Sequence, residues 1–134
     1  MNESAILHIP DSQYCFAVGE KKLVIRHRMA KEDADASVTL IYAGKYQFQQ
    51  NREQIPMEIR YTDRLYHYYE TTLVLTDVRL AYVFCIRQQG TTYYFCEDGI
   101  VLQYDFAEGF YNFFQMPYIN RNDVLPTVKW MKSA

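Results

Sequence analysis

The sequence lacks most of what announces a chemistry. Its five glycines are scattered at apparent turns, so no glycine-rich phosphate loop is present. There are three histidines, His8, His27 and His67, and three cysteines, Cys15, Cys85 and Cys96. Neither an HExxH nor a Cys-x-x-Cys occurs among them, which leaves a zinc site without a ligand set. The odd, widely spaced cysteines fit a reducing cytosol better than a disulfide scaffold, and the expectation is a cytoplasmic protein. The formal charge is −2 with no basic run, so nothing draws the chain electrostatically to nucleic acid or to an acidic membrane. No stretch approaches about 18 consecutive apolar residues, and the first ten residues have neither a basic nor an apolar leader region. Neither a membrane span nor a secretory signal is therefore expected. Paired carboxylates can be drawn on paper, but nothing places any two across a cleft. No catalytic engine is visible, and no metal or cofactor is expected.

What is abundant is tyrosine: 13, with eight phenylalanines against one tryptophan. A tyrosine ring is apolar with a polar tip, which suits half-buried sheets and wet interfaces alike. The plain reading puts most of these rings in the core and on sheet surfaces; the sharper one makes some an exposed recognition patch. At 134 residues the chain has the length of one domain with a single sizeable core.

The organising stretch is residues 66–86, YHYYETTLVLTDVRLAYVFCI. His67, Tyr69, Thr71, Leu73 and Leu75 share one face, and Tyr68, Glu70, Thr72 and Val74 the other. After a break, Leu80, Tyr82, Phe84 and Ile86 alternate with Ala81, Val83, Cys85 and Arg87. Period-two alternation in aromatic and β-branched residues predicts half-buried strands. The same pattern predicts strands over residues 23–29, with Leu23, Ile25, His27 and Met29 on one face, and over 37–43. Shorter strands are expected over residues 4–9, 14–18, 57–61, 91–96 and 100–104, with residues 45–54 a polar loop. Gln88-Gln89-Gly90 reads as a hairpin turn. His27 reads as a satisfied core histidine, and Cys85 and Cys96 as small buried hydrophobes. Glu32, Asp33 and Asp35 read as a solvated acidic turn, without EF-hand spacing. Some eight short strands and no helical periodicity predict an all-β antiparallel sandwich. Residues 111–134, with two prolines and no alternation, read as a strap running off it.

In order along the chain, several segments resemble the amino-terminal immunoglobulin-like domain of the neopullulanase, cyclomaltodextrinase and maltogenic amylase group in the α-amylase family of glycoside hydrolases. They are Ser4 to Pro10 (SAILHIP), residues 23–28 (LVIRHR), 38–44 (VTLIYAG), 68–73 (YYETTL), 79–84 (RLAYVF), and the closing 114–124 (FQMPYINRNDV) and 128–134 (VKWMKSA). No one of these is specific; their order and spacing are. Tyr69 and Phe48 stand where the family usually has Trp, His27 replaces an aliphatic residue, and Ile100 an aromatic one.

The resemblance implies an immunoglobulin-like antiparallel β-sandwich over residues 1–115 and a linker over 116–134 toward a catalytic (β/α)8 barrel. Such a barrel takes roughly 250 residues, so the catalytic acids are expected elsewhere in a larger enzyme. It further implies that the domain packs on the barrel of its own enzyme and of a second subunit, in a dimer. There it would help to wall a site for cyclodextrin or short α-glucan. By the same resemblance, Tyr46 would be a subsite wall with Phe48 supporting it. The alternative is a carbohydrate-binding module stacking α-glucan on exposed rings, with Tyr46, Tyr66, Tyr68 and Tyr111 as candidates. An adhesion module is disfavoured by the missing Cys…Trp…Cys pattern.

Overall fold

The computed structural model describes residues 1–10, 12–18, 22–44, 48, 51–74, 80–106 and 113–116. Among them there is no α-helix: ten strands and three 3-10 turns, at Glu3–Ala5, Ser12–Tyr14 and Lys31–Asp33, make an antiparallel sandwich. The strands are β1 (Cys15–Val18), β2 (Lys22–Ala30), β3 (Ser37–Gly44), β4 (Glu53–Pro56), β5 (Glu58–Thr62), β6 (Tyr66–Val74), β7 (Leu80–Gln88), β8 (Thr91–Cys96), β9 (Gly99–Val101) and β10 (Phe114–Met116). One sheet has the order β1-β2-β6-β5; the other runs β4-β3-β7-β8-β9, with β10 pairing β7.

Alternation dictates which residues face the other sheet. On β2, Leu23, Ile25, His27 and Met29 are all fully buried. Leu23, Ile25 and Met29 join Leu80, Tyr82, Phe84 and Ile86 of β7 in one cluster, with Val38 and Leu40 of β3 and Tyr69 and Leu73 of β6, and His27 lies against the Phe84 ring. The β7–β8 hairpin closes through Gln89 and Gly90, both at positive φ (50° and 80°), the type I′ geometry that matches the twist of the strands.

Three expectations need correction. Strand β7 is not half-buried: every residue from Leu80 to Ile86 is buried, because Ala81, Val83 and Cys85 on its outer face lie under Phe48 and Phe113 in a second cluster. Residues 4–9 form a 3-10 turn and a single bridge, Leu7 to Arg28, instead of a strand. There His8 turns inward: its Nδ1 donates to the Arg26 carbonyl and its Nε2 accepts from the Tyr82 hydroxyl, both at 2.7 Å. The strap expected from residue 111 contains β10, whose Phe114 packs on His8, Tyr82, Phe84 and Phe95.

Smaller differences follow from edges and turns. Strand β4 starts at Glu53 inside the expected polar loop and runs on to Pro56, and Met57 donates its backbone N–H to the Val38 carbonyl before β5 begins. All of β5 is exposed, and its pairing with β6 shifts register between Ile59 and Tyr61. The acidic turn is not simply solvated: Asp33 is buried, accepting from the Asn2 backbone N–H (2.9 Å) and from the Gln88 side chain (3.0 Å). His27 is buried as expected, but neither ring nitrogen has a hydrogen-bond partner among the described residues.

Replacing Phe114 with Ala removes a ring buried among four others and is expected to cost about 3–5 kcal/mol in urea unfolding; a cost under about 1 kcal/mol would mean β10 contributes nothing to the core. Gln89→Asn, which accepts a left-handed backbone more readily, is expected to raise stability by about 0.5–1 kcal/mol in the same assay.

Candidate functional site

The side chains of one strand face stand side by side roughly perpendicular to the sheet. On the four-stranded sheet, the face turned away from the core carries Arg26 and Arg28 of β2 opposite Glu70 and Tyr68 of β6, with Tyr61 of β5 also opposite Tyr68. Tyr66 and Tyr68, two residues apart on β6, share this face. Tyr61 stacks on Tyr68 with centroids 4.5 Å apart and planes 15° from parallel, and Tyr66 meets Tyr68 edge-on at 6.3 Å. The Arg28 guanidinium lies 4.0 Å over the Tyr66 ring, and its Nε donates to the Ala5 carbonyl.

The β5–β6 turn fixes this array. One Asp63 oxygen accepts from the backbone N–H groups of Leu65 and Tyr66 at 2.9 and 2.8 Å, and the other accepts from the Tyr68 hydroxyl at 2.9 Å. Those bonds, the Leu65 one foremost, hold the Asp63 carboxyl below its ordinary range. Burial first, then the bond to Asp63, pushes the Tyr68 phenol up to about 12. Beside it, Arg26 donates to Glu70 at 2.7 Å and to the Gln13 carbonyl at 3.1 Å, with Arg60 reaching the other Glu70 oxygen at 3.5 Å. Tyr61 and Tyr68 cover one another's faces, the Arg28 guanidinium covers Tyr66, and the Tyr68 hydroxyl is held by Asp63. Such an array offers a rigid mixture of apolar rim, phenol and guanidinium, the residue types that anchor protein interfaces.

Phe48 lies elsewhere. It is buried on the outer face of the six-stranded sheet, 5.1 Å from Phe113 and 5.6 Å from Phe106. Arg52 donates to the Phe48 carbonyl at 2.9 Å and covers the Phe106 ring at 4.3 Å. A shallow groove beside it is lined by Arg52, Gln103, Tyr104, Asp105 and Phe106. Tyr46 and Tyr111 lie outside the described residues. Of the five candidates, then, Tyr66 and Tyr68 come together, and Phe48 sits on the other sheet. Sequence reasoning missed Tyr61 and the two arginines. Their signal was the alternation of residues 24–28 and 57–61, but which strands adjoin could not be read from it. Among the described residues there is no group of three or more His, Cys, Asp or Glu placed to hold a metal ion.

Similarity to known proteins is consistent along the chain. Residues 1–120 match the family described as the alpha amylase N-terminal ig-like domain. The chain is 31% identical over 130 residues to a cyclomaltodextrinase of Thermoanaerobacter pseudethanolicus, covering 97% of this chain and 22% of that protein. It is 29% identical over 137 residues to a maltogenic alpha-amylase of Bacillus acidopullulyticus, covering all of this chain and 23% of that one. A solved structure named cyclomaltodextrinase shares the fold with a TM-score of 0.80 at 24% identity, over 92% of this chain and 21% of its own. The chain thus spans about a fifth of the length of these relatives. Its two antiparallel sheets and the match over residues 1–120 place it among the amino-terminal immunoglobulin-like domains of the α-amylase family.

Proposed function

We propose that the chain is the non-catalytic amino-terminal domain of an α-glucan-hydrolysing enzyme of the cyclomaltodextrinase type, serving subunit association and active-site shaping. The observation that carries this reading is coverage: nearly the whole chain aligns with about a fifth of proteins named cyclomaltodextrinase and maltogenic alpha-amylase. The sandwich, expected over residues 1–115, then takes in Met116 as the last residue of β10, and the residues after it lead toward a (β/α)8 barrel that holds the catalytic carboxylates. The barrels of the same enzyme and of a second subunit are its partners, cyclodextrin or short α-glucan the substrate, and the cytoplasm its place. Tyr46 is assigned to the wall of the neighbouring site, with Phe48 supporting it. The locked array of Tyr61, Tyr66 and Tyr68 supports a protein-facing role, since a stacking platform needs open ring faces.

The second reading, direct glucan binding, is favoured by one feature: the groove beside Phe48 combines the Tyr104 and Phe106 rings with Arg52, Gln103 and Asp105. Sugar sites join aromatic faces to a few convergent polar groups in this way.

Deleting the domain from the full-length enzyme is expected to abolish the dimer in sedimentation and to lower the preference for cyclodextrin over starch. A truncated enzyme still dimeric with unchanged preference refutes the proposal. Tyr68→Ala in the full-length enzyme is expected to weaken association by about 2 kcal/mol, read as the shift of the monomer–dimer midpoint. Titration of the chain with maltoheptaose separates the two readings: heat at millimolar sugar favours the second.

A further inference from the structure

Two of the three histidines are enclosed where the sheets meet. His8 is 4% exposed and His27 is not exposed at all. Both lie against the same ring, with centroids 4.7 and 4.6 Å from Phe84. His8 is also edged by Tyr14, Tyr82 and Phe114, and His27 by Tyr69 and Phe95. The polar groups facing His8 are the Arg26 carbonyl and the Tyr82 hydroxyl, which itself bonds to Cys15. The ionisable groups facing His27 are the Tyr69 phenol and His8. Among the described residues neither imidazole forms an ion pair with a carboxylate.

This arrangement fixes the neutral state of both rings. A backbone carbonyl can only accept, so His8 keeps its proton on Nδ1 and Nε2 takes the Tyr82 hydroxyl proton. A second proton on His8 would turn that bond around. On His27 it would place two N–H donors in an apolar enclosure with no bonded acceptor among the described residues, beside a second histidine. A buried cation without partners is among the costliest groups a core can hold.

We propose that His8 and His27 form an acid-operated latch: the closed sandwich binds neither proton, and the parted sheets bind both. The inference concerns only the sandwich and stands apart from the assignment to an α-glucan enzyme. Its sign follows from linkage. Burial holds the His8 imidazole down at about 4, against a hydrogen bond to Arg26 that raises it. Burial, and secondarily His8, hold His27 well below the ordinary value. In the open chain both return to about 6.5. Closure is therefore undisturbed above that value and weakens as pH falls through it, as the open state takes up two protons that the closed state refuses. Between pH 6 and 5 the titration of Asp35 and Asp63, both held below the ordinary carboxylate range, lies further down.

The test is urea unfolding of the 134-residue chain, followed by near-ultraviolet circular dichroism from pH 7.5 to 5. For the wild type the unfolding constant is expected to rise about 60-fold between pH 6 and pH 5, the signature of two linked protons with open-chain values near 6.5. His27→Leu should cut this to about 8-fold and raise stability at every pH, since it removes an unsatisfied polar ring. Adding His8→Gln should remove most of the remaining slope; His67 is present in all three proteins, so the differences between them belong to His8 and His27. A wild-type slope of 10-fold or less overturns the latch, as does an unchanged slope in His27→Leu. If the double variant does not fold, the single variant decides, together with nuclear magnetic resonance of the native ring protons. These should not move down to pH 5 in the latch, and a normal titration there refutes it.

Discussion

A β-strand excluded from water on both faces needs a layer of cover on each side, and β7 imposes that demand on this chain. Leu80, Tyr82, Phe84 and Ile86 are covered by the other sheet, and Ala81, Val83 and Cys85 by Phe48 and Phe113. The small size of the outward trio lets those rings approach closely, so what would be the wet face of a simple sandwich becomes a second core. Backbone pairing is equally complete. One edge of β7 is taken by β3 along its length, and the other is divided between β8 and β10. Segments distant in sequence converge because β7 leaves no polar backbone or apolar surface free to solvent.

The amino-terminal segment is held by polar contacts rather than by a ladder. His8 ties it to β2 through the Arg26 carbonyl and to β7 through Tyr82, and Arg28 grips it at the Ala5 carbonyl. Asp33 anchors its first residues and the end of β7 at one buried carboxylate. Arg28 and Arg26 thereby link the inside of the domain to its outside: their backbones serve the ladder while their guanidiniums order the tyrosine array. Stiffness in that array would limit the entropy lost were a partner to cover it.

How much of this could be read beforehand depended on sequence distance. Strands β2, β3, β6, β7 and β8 were plain because each repeats its apolar spacing within itself, and the β7–β8 turn because Gly follows Gln89. Tyr66 and Tyr68 could be put together because residues two apart on a strand share a face. Strand β10 has only Phe114, Gln115 and Met116, too few to show a period. The cover over Ala81 and Val83 comes from residues 48 and 113, a pairing that no local pattern encodes. Residues 4–9 looked extended because their composition is strand-like; the inward turn of His8 answers a hydroxyl 74 positions away. The missing partner for His27 was invisible for the same reason: satisfaction is a property of the enclosure, not of the residue.

The register shift on β5 has a consequence for life in a crowded solution. A bare sheet margin bearing Ile59 and Tyr61, 42% and 46% exposed, invites a neighbouring molecule to extend the sheet. The extra residue at Arg60 interrupts the regular row of donors and acceptors there and places a guanidinium at the break. The bulge thereby breaks the straight row of backbone groups along which a second strand would have to pair at this border.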